Sequence, residues 1–268
     1  MQRLGAFGPP LVLALTLAIW ASFLVSARAA VGQSFGPIEV GLMRFGTAAI
    51  LFAPVLLRHG ILPRGQNWLD VVLIAFIGGF VFVLLLVGGL SFAPVADSGI
   101  FAPSMLPVWV AGMSAVFLAE KFSRARLLGL GLIVFGALAV GGYEAIIQAE
   151  DGRWRGHLLF LGASGCWAVY TVRFRARALP VVPAAAMMVF WSALAFLVAG
   201  LVKGMDFSGI PPQTLALQIL LQGVFSGFLA TFTYLFCVQH FGAAKTAAFG
   251  ALVPVLAALG AWVFLAEP

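Results

Sequence analysis

Nine runs of roughly 18 to 25 mostly apolar residues, joined by short connections that carry most of the charge, leave this 268-residue chain few ways to fold. About 20 apolar residues cross the hydrocarbon of a bilayer as one helix. Open sheet edges cannot sit in lipid, and alternating barrel strands would be far more polar, so the runs read as helices. They cover 10–27, 37–57, 68–90, 95–118, 126–143, 157–174, 181–202, 213–237 and 244–266. Charged residues make up 9% of the chain, against about 25% in an ordinary soluble domain. A soluble enzyme, a disordered chain and a nucleic-acid-binding module are excluded on that ground. The net charge of +6 does not restore a nucleic-acid partner, because the basic residues stand singly or in threes between apolar runs. Orientation signals for membrane insertion are distributed in that way.

The first 30 residues imitate a cleavable secretory signal, with Arg3, the run Leu11 to Val25 and the triplet Ala27-Arg28-Ala29. An internal echo argues for retention: Trp20-Ala21 and Arg28 recur 147 residues later as Trp167-Ala168 and Arg175. The same offset relates 107–120 to 254–267, where 8 of 14 positions are identical. This composition would give about 1 or 2 by chance. Duplication is the economical explanation, with a first copy over 1–146, a second over 147–268 and the boundary in the longest polar connection, Glu144 to Gly156.

Five runs separate equivalent positions, and five is odd, so the two copies are expected to cross the membrane in opposite directions. Charge supports this. With the N-terminus inside, Arg3, Arg58, Arg64, Lys121, Arg124, Arg126, Arg173, Arg175, Arg177 and Lys245 lie on the cytoplasmic side, against Arg28, Arg153, Arg155 and Lys203 outside. The expected fold is an all-α polytopic membrane protein of two inverted five-helix repeats. Nine of its ten helices are present; the first copy continues past Glu120 into a fifth run, whereas the second reaches only Pro268 after its matching Glu267, so the tenth helix is expected to be missing by truncation.

These residues resemble the drug/metabolite transporter superfamily in its EamA-type branch. The resemblance rests on Trp20 and Trp167 in the first helix of each copy, Met43-Arg44-Phe45, and Ala243-Ala244-Lys245 leading to Leu252-Val253-Pro254-Val255. Its most specific carriers are Phe117-Leu118-Ala119-Glu120 and Phe264-Leu265-Ala266-Glu267-Pro268, similar to that family's "LLGE" with Ala for Gly. The resemblance implies the ten-helix fold, cytoplasmic termini and export of amino acids or other small metabolites across the cell membrane.

Arg44 lies inside the second run, where a central arginine costs about 2.5–3.5 kcal/mol on insertion scales. Either it lines a cavity and attracts a carboxylate, for which its planar fork is suited, or it snorkels to the interface or packs against Glu39. Trp20, Trp109, Trp167, Tyr170 and Tyr234 stand within runs, not at the interfacial belts. As a set with Arg44 they suggest an aromatic-lined substrate site near the mid-plane. Asp97 and Lys245 read as gating or coupling charges, or as ordinary charges at helix ends. Pro107 and Pro254 read as hinges, a proline inside a helix removing one backbone hydrogen bond, or as packing kinks. Gly223 and Gly227, spaced as GxxxG, read as intramolecular helix packing, and a homodimer has no support in the sequence. Cys166 and Cys237 read as packing residues. No metal, cofactor or phosphate-loop motif is present. The expected activity is secondary transport by alternating access; the alternatives are an integral-membrane enzyme or a flippase acting on a lipid or lipid-linked substrate. The expected partners are a small-molecule substrate and the lipid bilayer.

Overall fold

All nine apolar runs are helical in the computed structural model, which describes residues 8–147 and 152–267, the side chains of 142 and 144–147 excepted. Arg3, Pro268 and the middle of the connection between the two expected copies lie outside the described residues. In chain order the helices are α1 (Gly8–Gly32), α2 (Pro37–Leu51), α3 (Ala53–His59), α4 (Trp68–Gly89), α5 (Val95–Leu118), α6 (Arg124–Ile147), α7 (Arg153–Ala176), α8 (Val181–Lys203), α9 (Pro212–Phe241) and α10 (Ala243–Leu265). Among the described residues, seven are long and apolar enough to cross a membrane, or eight if the bent pair α2 and α3 is one span. The helix that falls short is α7, although its 24 residues are sufficient in length. Arg153, Arg155, Arg173 and Arg175 near its ends lower its apolarity.

The expected single run 37–57 is broken. Its two parts meet at 61° around Phe52. Pro54, in the first turn of α3, has no N–H for a bond back to Ile50, and its ring would crowd that carbonyl in a continuous helix.

Two other helices are broken in matching places. In α5 the halves Val95–Phe101 and Leu106–Leu118 are separated by a turn at 102–105, and in α10 the halves Ala243–Phe249 and Val253–Leu265 are separated by one 3-10 turn at Gly250–Leu252. Both second halves end on an alanine in the left-handed region, Ala119 with φ 51° and Ala266 with φ 54°. The next residues close the two helix ends alike, Glu120 N–H bonding to Ser114 O and Glu267 N–H to Ala261 O. The broken helices meet at Gly99, where an added Cβ would stand 2.8 Å from Pro254 Cα.

Packing follows the small residues. Gly223 and Gly227 of α9 lie directly on α2; a Cβ at Gly223 would collide with Thr47, and one at Gly227 with the carbonyl oxygen of Arg44. The GxxxG pair therefore closes an intramolecular contact, and it fixes the backbone of the arginine it touches. Cys166 and Cys237 are free, Cys237 buried against Thr16.

Candidate functional site

Arg44 is the only lysine or arginine that is buried among the described residues, at 2% exposure. It neither snorkels nor pairs with Glu39. Its guanidinium stacks 4.2 Å from the centroid of Phe23 and 5.5 Å from that of Phe45. Its Nε and Nη1 have no hydrogen-bond partner among the described residues. A buried unpaired cation is costly, and native interiors leave few polar atoms unsatisfied. Such an atom leaves room for a polar partner that the surrounding side chains do not supply.

The side chain borders a narrow, largely apolar cavity with about 460 Å³ free of protein atoms, its mouth included. Helices α1, α2, α4, α5, α7 and α10 form the walls. Trp20, Phe23 and Leu24 come from α1, Phe82 and Leu86 from α4, Ser164 and Trp167 from α7. The two helix breaks meet the cavity as well, through Ala102, Pro103 and Leu106 on one side and Val253 on the other. Ser164 donates its hydroxyl to Ala102 O at 2.7 Å, tying α7 to the break in α5.

Behind this lining stands an aromatic cluster. Trp20 meets Trp167 edge to face at 5.8 Å, and Tyr234 lies 5.1 Å from Trp20 and 5.3 Å from Trp167. Tyr170 lies 5.0 Å from Trp167, and Phe82 4.6 Å. Edge-to-face and tilted pairs at these spacings hold the rings rigidly. The hydroxyls of Tyr234 and Thr171 bond to each other, whereas that of Tyr170 has no partner among the described residues. Of the six residues expected to touch a substrate, Trp20, Arg44 and Trp167 line the cavity, and Tyr170 and Tyr234 back it. Trp109 lies apart, 39% exposed and packed beside Gly165.

The expected gating residues are spread differently. Asp97 is buried and held by Arg153 through two bonds of 2.7 and 2.8 Å, and by His157 Nε2 at 2.8 Å. Lys245 is exposed. Pro107 and Pro254 each occupy the first turn of a second half-helix, immediately after a break. A proline there costs no hydrogen bond, because that N–H has no intrahelical acceptor in any case. The expectation that these prolines interrupt a continuous helix is corrected: the break precedes them, and they start the next segment.

Sequence reasoning missed a set of ion pairs that close both ends of the bundle. Arg28 of α1 donates to Glu267 at 2.6 Å and also to Leu90 O, while Glu267 accepts the N–H of Val95 at 3.1 Å. Arg175 of α7 donates to both carboxylate oxygens of Glu120, at 3.0 and 3.4 Å. These two pairs are related by the 147-residue offset, Arg28 to Arg175 and Glu120 to Glu267, and each joins one expected copy to the other. Asp70, fully buried and capping its helix with Asn67, holds Arg173 at 2.7 Å. The signal was available in the offset; pairing each arginine with the glutamate of the opposite copy would have found it. Phe23 and Phe82 could not have been chosen from 25 phenylalanines.

A many-helix membrane protein with an interior cavity, a buried unpaired arginine among the described residues and broken helices at the cavity wall is the class these features define. The family model for the EamA-like transporter family matches residues 8–142 and 154–268, and the chain belongs to that family. An uncharacterized transporter of Archaeoglobus fulgidus is 23% identical over 270 residues, covering 96% of this chain and 90% of its own length. A crystal structure described only as that of a protein superposes with a TM-score of 0.67 at 19% identity, over 97% of this chain and 89% of that one, which concerns the fold alone.

Proposed function

We propose that the protein is a secondary transporter of the cell membrane, N-terminus inside, that exports small organic metabolites such as amino acids by alternating access. The carrying observation is the unpaired Arg44 in a cavity whose wall includes both helix breaks. In this reading 1–146 and 147–268 are inverted repeats of the ten-helix transporter fold. The double family match, the paired breaks at Phe101 and Phe249, and the left-handed ends at Ala119 and Ala266 support it.

Inverted repeats bring Arg28–Glu267 to the outer face and Arg175–Glu120 to the inner face. Each pair acts as a latch across the repeats, and transport requires one to open while the other holds. Asp97, Lys245, Pro107 and Pro254 contribute at the helix starts that move. Reading the chain as a carrier instead of a lipid-directed enzyme rests on the interior acids: Asp70, Asp97, Glu120 and Glu267 each already hold a cation. The test is flux from reconstituted vesicles. Arg44→Ala and Trp167→Ala should each abolish export of a transported solute, and unchanged flux of every solute tested would remove the pocket assignment.

A further inference from the structure

Resting on the carrier reading, we propose that the cavity selects an organic acid with one negative charge, a flat apolar body and no ammonium group, so that a deaminated acid binds better than the amino acid with the same side chain. The charge balance of the interior leads to this. Arg44 has no counter-ion among the described residues, and its buried Nε and Nη1 have no partner there; a carboxylate on the edge that Nη2 shares with either of them takes two charge-assisted bonds. One guanidinium calls for one negative charge.

An ammonium group has nothing comparable to meet. Among the described residues no acid lines the cavity. Of the buried and half-buried acids among the described residues, Asp70, Asp97, Glu120 and Glu267 are occupied by Arg173, Arg153 with His157, Arg175 and Arg28, and Glu39 accepts the N–H of Asp206 at 3.4 Å and lies outside the cavity lining. Ala102 O, a carbonyl at the helix break, already accepts from Ser164. Of the aromatic faces that could attract a cation, that of Phe23 carries the Arg44 guanidinium at 4.2 Å, and the rings of Trp20, Trp167 and Phe82 are packed against one another and against Tyr170 and Tyr234. An α-amino acid seated by its carboxylate on Arg44 would place its own cation beside that like charge, stripped of water and unpaired. The walls of Trp20, Phe82, Leu86 and Trp167 offer flat apolar surface for the remainder of the molecule.

Four ligands sharing one phenyl ring separate the terms: 3-phenylpropionate, L-phenylalanine, 3-phenylpropanol and phenethylamine, titrated against the purified full chain by tryptophan fluorescence. The expected result is that 3-phenylpropionate binds at least tenfold tighter than phenylalanine and phenylpropanol, with phenethylamine weakest. Arg44→Gln should lower the affinity for the acid at least tenfold and leave that for the alcohol within twofold, which also shows that the variant is folded. Arg44→Lys, which keeps the charge and loses the fork, should fall between. Phenylalanine binding as well as the acid, an unchanged preference in Arg44→Gln, or binding of none of the four at millimolar concentration overturns the proposal. Counterflow in vesicles judges the carrier reading separately. Acid-selective binding without any flux would sink the carrier and keep the site, whereas flux of amino acids in preference to their deaminated acids would keep the carrier and sink this inference.

Discussion

Reversing one charge in each latch should bias the cavity to opposite faces. In Arg175→Glu the two bonds to Glu120 are lost and a like charge replaces them. The pair is partly solvated, its side chains 36% and 26% exposed, so it falls in the range of about 0.2–1 kcal/mol for surface pairs, toward the upper end because both carboxylate oxygens are engaged. Repulsion adds a similar amount, for a total of about 2 kcal/mol. At tenfold per 1.4 kcal/mol this changes the ratio of the two open states about 30-fold. The readout is a cysteine placed at Ser164 in the cavity, with Cys166 and Cys237 replaced by serine, labelled in sealed vesicles by an impermeant thiol reagent from either side. Arg175→Glu should raise labelling from the Glu120 face and Arg28→Glu from the Glu267 face. The effect at Arg28 should be the larger, because Leu90 O and the N–H of Val95 lose their partners' geometry as well. Glu120→Arg with Arg175→Glu should restore the starting ratio. If both single reversals shift labelling in the same direction, or the swapped pair does not restore it, the latches do not control access.

The left-handed alanines give a stability prediction. Such a conformation costs an L-residue about 1–2 kcal/mol, offset in part by the flexibility of glycine in the unfolded chain, so Ala119→Gly and Ala266→Gly should each raise the melting temperature by about 2–4 °C in detergent. At Gly227 a side chain meets the carbonyl of Arg44, whereas at Gly112 nothing lies within 4 Å; Gly227→Leu should abolish ligand binding and Gly112→Leu should not, as read by the same fluorescence titration. The hydrogen bonds from Arg175 hold the Glu120 carboxyl below its ordinary value of 4.5. A depressed carboxyl pKa means that the Arg175–Glu120 latch contributes fully above about pH 5 and is lost as the pH falls through the lowered value. Labelling from the Glu120 face should therefore be flat between about pH 5 and pH 8 and rise only in stronger acid, and a transition near pH 6 or 7 would assign the gating charge to another group.

The helices were legible because lipid imposes a length and forbids alternatives: runs bounded by Arg124, Arg153 and Pro212 could be nothing else. The bend at Phe52 was harder, since apolarity continues through Pro54 and only the backbone rule for proline marks it. At Pro107 and Pro254 the residue was noticed and its place in the helix was not. A proline in the first turn and one in the middle of a helix look the same in an apolar run, because the sequence does not show where the preceding half-helix stops.

The site divides along a related line. Arg44 was legible because a charge in an apolar run is rare and has few explanations. Trp109 was not distinguishable from Trp167, since helices apolar on every side carry no record of which face turns inward. Burial in a membrane bundle is decided by small residues such as Gly223 and Gly227, whose partners lie on other helices. The latches were hidden differently. Arg28 and Glu267 are 239 residues apart, and each sits at a run end, where a charge passes for an ordinary interfacial residue. Their meaning comes from the pairing, and a duplicated chain contains that pairing twice. An arginine and a glutamate that recur at one offset, at helix ends brought together only across the two expected copies, are what the proposed inverted repeat would need to hold either face shut with the same chemistry.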